Sequence, residues 1–181
     1  MIGAVTVEGH AIVSNNGMIA DGKGEMPPGL HNPADWRLFQ AALDRAALVV
    51  LGRLGHQRHP NRGRKRLVLT RSVDALAADP VDPLAHFWNP AGMPIEAVLN
   101  HLGISQGTLA ITGGTGVFDL FLPLFDRFFL TEARDVHIVN GVWCFSEALP
   151  HEALEAAGLV AGPAELIDPE ANVTLTTWRR T

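Results

Sequence analysis

The chain has 181 residues, of which 47% are hydrophobic and 18% charged, with a formal net charge of −5 and a single cysteine, Cys144. That length sustains one domain, 1–181, around a substantial core. The composition excludes an internal disulfide framework, a cysteine-rich zinc site and a general nucleic-acid binder, and no run approaches the ~20 apolar residues of a membrane span.

The first residues, MIGAVTVEGH, carry no basic segment ahead of an apolar one, so no signal peptide is expected. With the cysteine usage, this points to a cytoplasmic protein. Residues 5–14 alternate and then run apolar, the pattern of a first strand. Asn15-Asn16-Gly17 is a turn signal, and Met18-Ile19-Ala20 follows it. Residues 21–30 are loaded with Gly and Pro and predict a mobile loop. Asn32 is a good helix cap with Pro33 in the first helical position. A helix over 34–47 then carries Trp36, Phe39 and Leu43 at helical spacing.

Residues 48–51 form a short apolar strand ending at Gly52-Arg53, and 56–65 read as a polar, basic loop. Arg53, Arg58, Arg62, Arg64, Lys65, Arg66 and Arg71 crowd this third of the chain, either as a solvated loop or as the receiver of an anionic ligand. Residues 66–70 predict a strand and 73–78 are ambiguous. A short strand is expected at 86–88 and a helix at 94–102. Strands are also expected at 136–139 and 142–145, about Asn140-Gly141. A short helix fits 151–157, residues 159–167 show no clear period, and 173–178 alternate as a final strand. Strands alternating with helices imply an α/β fold: a central, mostly parallel sheet with helices on both faces. The last strand can add antiparallel at an edge.

The most informative stretch is Ile111-Thr112-Gly113-Gly114-Thr115-Gly116-Val117-Phe118. Residues 109–112 read as a buried strand, 117–125 as a helix ended by Pro123 and Asp126, and 126–131 as a strand again. A strand, a glycine turn and a helix start can accept an anion, because amides point outward and glycine lets a phosphate approach the backbone. The same residues also suit a tight turn that binds nothing. A Rossmann-type dinucleotide motif needs a further glycine where Asp119 stands, and a place early in a long βαβ series. His56 and His59 have no third ligand at metal-like spacing, so no metal site is expected.

In order and spacing these pieces resemble the dihydrofolate reductase family. The resemblance covers roughly residues 11–131 and rests on Asn16-Gly17-Met18-Ile19, Met26-Pro27, Pro33-Ala34-Asp35 with Phe39, Val50-Leu51-Gly52-Arg53, Gly63-Arg64-Lys65, Thr70-Arg71-Ser72, Gly113-Gly114 with Phe118, Phe121-Leu122-Pro123 and Leu130-Thr131. It implies a reductase moving hydride from NADPH to a reduced-pterin imine. Asp35 would then be the carboxylate that holds the pterin's amino group and ring NH, with Thr131 supporting it. Asp35 would equally serve as a capping carboxylate in the first helical turn.

Ile12 and Phe39 would pack the pterin, and Arg64 would pair with a carboxylate tail. Ile19, Gly113, Gly114, Thr115, Gly116, Val117, Phe118 and Gly52 would surround the cofactor. Arg53, Thr70, Arg71 and Ser72 would lie near its 2′-phosphate, favouring NADPH over NADH. The expected partner is a small-molecule substrate, pterin or pyrimidine; a homodimer is left open.

The sequence departs from this family in three places: Pro28 replaces a tryptophan, Leu54-Gly55 replace a segment with a threonine, and Phe118 replaces a tyrosine. Residues 14–20 also resemble the reductase of riboflavin synthesis, with Asn16 where that family has aspartate. The deaminase domain often fused to that reductase needs His/Cys zinc ligands, which one cysteine cannot supply. A nucleotide-binding homologue without turnover is a further alternative.

Overall fold

The computed structural model describes residues 3–181. Its elements, in chain order, are β1 (Ala4–Ser14), β2 (Met18–Ala20), α1 (Pro33–Arg45), β3 (Leu48–Gly52), α2 (Arg53–Arg58), β4 (Arg66–Leu69), β5 (Leu76–Ala78) and β6 (Ala85–Trp88). They continue with α3 (Ile95–His101), β7 (Gln106–Ile111), α4 (Thr115–Phe121), β8 (Arg127–Ala133), β9 (Val142–Trp143), α5 (Pro150–Ala156), β10 (Leu159–Asp168) and β11 (Val173–Arg180). Nine strands form one sheet in the order β10-β11-β8-β1-β7-β3-β4-β6-β5, and β2 pairs with β9 in a small second sheet. From β8 to β6 the pairing is parallel; β11, β10 and β5 add antiparallel at the two edges. The fold is α/β and mostly parallel, as the alternation of elements predicts.

The strand period sorts the core into two layers. On β3, Leu48 and Val50 face one side, with Leu67, Leu109 and Ile111. Val98 and Leu99 of α3, Phe118 and Phe121 of α4, and Leu154 of α5 cover that layer. Val49 and Leu51 face the other side, with Val68 and Ala110, under Leu43 and Phe39 of α1. Each fully buried side chain of this size contributes about 2 kcal/mol. The helices therefore lie on both faces, with α1 on the side of Val49 and Leu51 and α3, α4 and α5 on the other.

Several expectations need correcting. No strand forms at 136–139, and the hairpin about Asn140-Gly141 is absent. That segment's backbone bonds instead to the first turn: the Asn15 amide donates to the Val136 carbonyl at 2.8 Å, and Asn16 bonds both the Ile138 carbonyl, at 2.8 Å, and its amide. The strand expected over 142–145 shortens to β9 and pairs with β2.

The loop expected from 56 begins with the short helix α2, which has no buried residue and so left no apolar signal. The helix after the glycine turn ends at Phe121; Pro123, lacking an amide proton, continues it only as a 3-10 turn over Leu122–Leu124. The region without a period, 159–167, is the long edge strand β10. It is exposed at most positions, and its register shifts at Gly162-Pro163, so neither period shows.

Candidate active site

The C-terminal ends of β1, β7 and β3 lie together at one edge of the sheet. Their register brings the two glycine segments into contact: the Gly52 amide donates to the Gly113 carbonyl at 2.9 Å. A Cβ on Gly113, whose φ is +89°, would lie 2.6 Å from the Phe118 ring, so only glycine fits. Gly114 and Gly116 are exposed, and beyond the Ile19 methyl at 3.8 Å nothing crowds a Cβ on Gly114. The turn therefore presents bare backbone at the start of α4, with room above it, which suits the pyrophosphate of a dinucleotide. Gly52 pairs in register with Leu69, so Arg53 and Thr70-Arg71-Ser72 leave the same edge of the sheet. Arg53 and Arg71 are exposed, and Thr70 and Ser72 bond each other through their hydroxyls at 2.9 Å.

A cavity of about 680 Å³ runs from this turn beneath α1. Asp35, Thr131, Ile12, Phe39, Ile19, Gly113, Gly114 and Phe118 all line it, although they come from five separate segments. Asp35 is fixed by the start of α1. The Asn32 side chain accepts from the amides of Ala34 and Asp35, each at 3.0 Å, and donates to Asp168 at 2.7 Å. The cap reading and the functional reading thus separate: Asn32 is the cap, and the Asp35 carboxyl faces the cavity. Burial pushes the Asp35 carboxyl above the usual carboxylate range, and a hydrogen bond from Thr131 acts in the opposite sense. Thr131 is 2% exposed and sits on β8, where it pairs in register with Ile12.

The other expected site residues lie outside the cavity wall. Gly52, Arg53, Thr70, Arg71, Ser72, Thr115, Gly116 and Val117 belong to the adjoining edge. Arg64 is turned to α1: its Nε and Nη2 donate to Asp44 Oδ1 at 3.0 and 2.6 Å, Nη2 to Gln40 at 2.9 Å and Nη1 to Asn61 at 2.7 Å.

The cavity also has a polar end that no sequence motif marked. Glu8, His10 and Arg45 line it. His10 stacks on Phe129 with ring centroids 4.9 Å apart and planes 8° from parallel. Its buried Nε2 has no hydrogen-bond partner and lies 3.9 Å from Glu8 Oε2. Burial, helped by the Arg45 charge, lowers the His10 pKa to about 4, so the ring is neutral at pH 7. The two-residue period of β1 puts Glu8 and His10 on the same face as Ile12, which is the signal that could have found them.

Among the described residues no helix is long and apolar enough to cross a membrane, and no cluster of His, Cys, Asp or Glu is arranged to hold a metal. No family model matches the sequence, and no curated protein matches it. Solved structures do. A candidate riboflavin biosynthesis protein from Shewanella sp. PV-4 superposes with a TM-score of 0.71 at 21% identity, covering 97% of this chain and 99% of that one. A diaminohydroxyphosphoribosylaminopyrimidine deaminase/5-amino-6-(5-phosphoribosylamino)uracil reductase from Thermotoga maritima gives 0.69 at 14% identity, covering 98% of this chain and 57% of that one. Dihydrofolate reductase from Enterococcus faecalis, complexed with NADP(H) and RAB-propyl, gives 0.67 at 21% identity, covering 97% and 96%. The chain has the dihydrofolate reductase-like fold.

Proposed function

We propose that this chain, built on that fold, is an NADPH-dependent reductase that transfers hydride to a pterin-type substrate. One observation carries the reading: a partly desolvated carboxyl, Asp35, bonded to Thr131, shares a single cavity with the bare Gly113-Gly114 turn. The solved neighbours with reductase descriptions support it. NADPH, when bound, supplies the hydride. Gly113, Gly114 and the first turn of α4 would hold its pyrophosphate, and Arg53, Arg71, Thr70 and Ser72 its 2′-phosphate. Ile19 and Phe118 would flank the nicotinamide.

The chain's own residues do the rest. Asp35 accepts hydrogen bonds from an amino group and an adjacent ring NH, the edge a pterin offers. Its negative charge then favours the protonated form of the ring, which is the form that accepts hydride. Thr131 holds the carboxylate in line, and Ile12 and Phe39 keep the ring flat and water out.

The test is NADPH oxidation followed by absorbance, with dihydrofolate as acceptor and methotrexate as challenge. Turnover that methotrexate blocks is the expected result. Tight NADPH binding without turnover of dihydrofolate or a simpler dihydropterin would overturn the substrate; failure to bind NADPH would overturn the activity.

A further inference from the structure

Ile19 and the Gly113-Gly114 turn are neighbours on the cavity wall, and both are fastened to one short segment, residues 143–146. On the α4 side, Thr115 and Asp119 stand four residues apart and so share a face of the helix. The Thr115 hydroxyl donates to the Trp143 carbonyl, and the Ser146 amide donates to Asp119 Oδ1 at 3.1 Å. Between these two ties Cys144 and Phe145 are buried, and the Phe145 ring centroid lies 5.9 Å from that of Phe118 and 5.6 Å from that of Phe128. The segment is thus held to α4 at both ends and packed into the core in the middle.

On its other side the same segment carries β2. Trp143 pairs with Met18 and Val142 with Ala20, so Ile19 lies between the two paired residues. The Cys144 amide also donates to the Gly17 carbonyl at 3.0 Å. One stretch of backbone therefore links the helix that begins at the glycine turn to the strand that bears Ile19. The Ile19 methyl ends 3.8 Å from where a Cβ on Gly114 would stand, so a shift of β9 would be felt at once in the space between them. Asp119 occupies the position where a Rossmann-type motif needs glycine, and here its carboxylate has a different task.

We propose that Thr115 and Asp119 are positioning residues: they clasp residues 143–146 and, through β9, set the gap between Ile19 and the glycine turn in which the nicotinamide is held. The proposal rests on the NADPH reading above. It moves the Thr115 hydroxyl from contact with the cofactor to support of its site. Hydride transfer needs donor and acceptor in one geometry, and a small displacement of either slows it greatly. Each tie is a single hydrogen bond near the surface, so its loss acts on position more than on folding.

The experiment is calorimetric titration of the full chain with two ligands, NADPH and 2′-phospho-ADP-ribose, the same molecule without its nicotinamide. The wild type should bind NADPH the more tightly. Thr115→Val should weaken NADPH about tenfold, the worth of one hydrogen bond, and leave the nicotinamide-free ligand within about twofold. Asp119→Ala should do the same, although it lies a turn further from the glycines. Thr115→Ser keeps the donor and Asp119→Asn the acceptor, so each should recover most of the loss. Thr115→Ala replaces Thr115→Val if the latter is unstable. Equal loss of both ligands in Thr115→Val would make the hydroxyl a phosphate ligand and overturn the proposal. Selective loss in Thr115→Val with none in Asp119→Ala would overturn the clasp. A wild type that binds both ligands equally keeps the phosphate sites and overturns the positioning role. A wild type that binds neither overturns the NADPH reading as well.

Discussion

Thr131 on β8 hydrogen-bonds the Asp35 carboxyl on α1, tying the sheet to the helix across the cavity. Burial and this bond act on Asp35 in opposite senses, with burial the larger. The folded state therefore binds a proton at Asp35 more tightly than the unfolded chain does, and keeping it ionised at neutral pH costs stability.

Replacing Asp35 by Asn should separate activity from stability. Hydride transfer should fall by two or more orders of magnitude while NADPH affinity, read by fluorescence titration, stays within twofold. The melting temperature should hold or rise, because a desolvated charge has been removed. Parallel loss of turnover and NADPH affinity would show that Asp35 is only structural. Thr131→Val removes the bond that favours the carboxylate, so the ionisation in the kcat/KM profile should move to higher pH.

Arg71→Ala should weaken NADPH at least tenfold and NADH little, since only the former carries the 2′-phosphate. An unchanged preference between them would take Arg71 out of the cofactor site.

His10 should shape the acid limb of stability. The unfolded imidazole takes a proton below about pH 6.5, the folded one only near 4. In that window the unfolded state binds more protons, so stability is lost as pH falls from 6.5 towards 4. The loss is on the order of 3 kcal/mol, because each tenfold difference in proton affinity between the two states is worth about 1.4 kcal/mol. Urea unfolding at pH 7.5, 5.5 and 4.5 should show a flatter pH dependence in His10→Leu than in the wild type. Identical slopes would mean His10 protonates freely in the folded state.

Arg66 is 1% exposed and pairs with Asp82, while its Nη1 donates to the carbonyls of Asn61 at 2.9 Å and Arg64 at 3.0 Å. Asp82→Ala leaves a buried guanidinium without its counter-charge and should lower the midpoint of chemical unfolding. An unchanged midpoint would mean that the pair belongs with ordinary surface ion pairs.

Much of this architecture is legible in the sequence because buried strands leave a direct trace. Residues 48–51 and 67–69 are apolar runs, β1 and β11 alternate, and Asn32-Pro33 announces α1 and thereby places Asp35. What the sequence does not show depends on partners far away in the chain. Residues 136–139 look like a strand, yet their backbone is taken by Asn15 and Asn16. β10 is exposed at most positions, so nothing repeats along it. His10 follows Glu8-Gly9 at the start of an apolar run and reads as an ordinary polar position until Phe129 is stacked on it. The turn of Arg64 towards α1 depends on where Asp44 points, which no spacing encodes.

The bond from Asn32 to Asp168 joins residues 136 positions apart. Translation at ~5–20 residues per second puts roughly 7–27 s between their syntheses. During that time α1 lacks its anchor on β10, and β1 waits for β7 and β8, both more than 90 residues downstream. Such distant pairings make folding slow. The helix that carries Asp35 is made early and fixed late, so the cavity beneath it is among the last parts of the molecule to assemble.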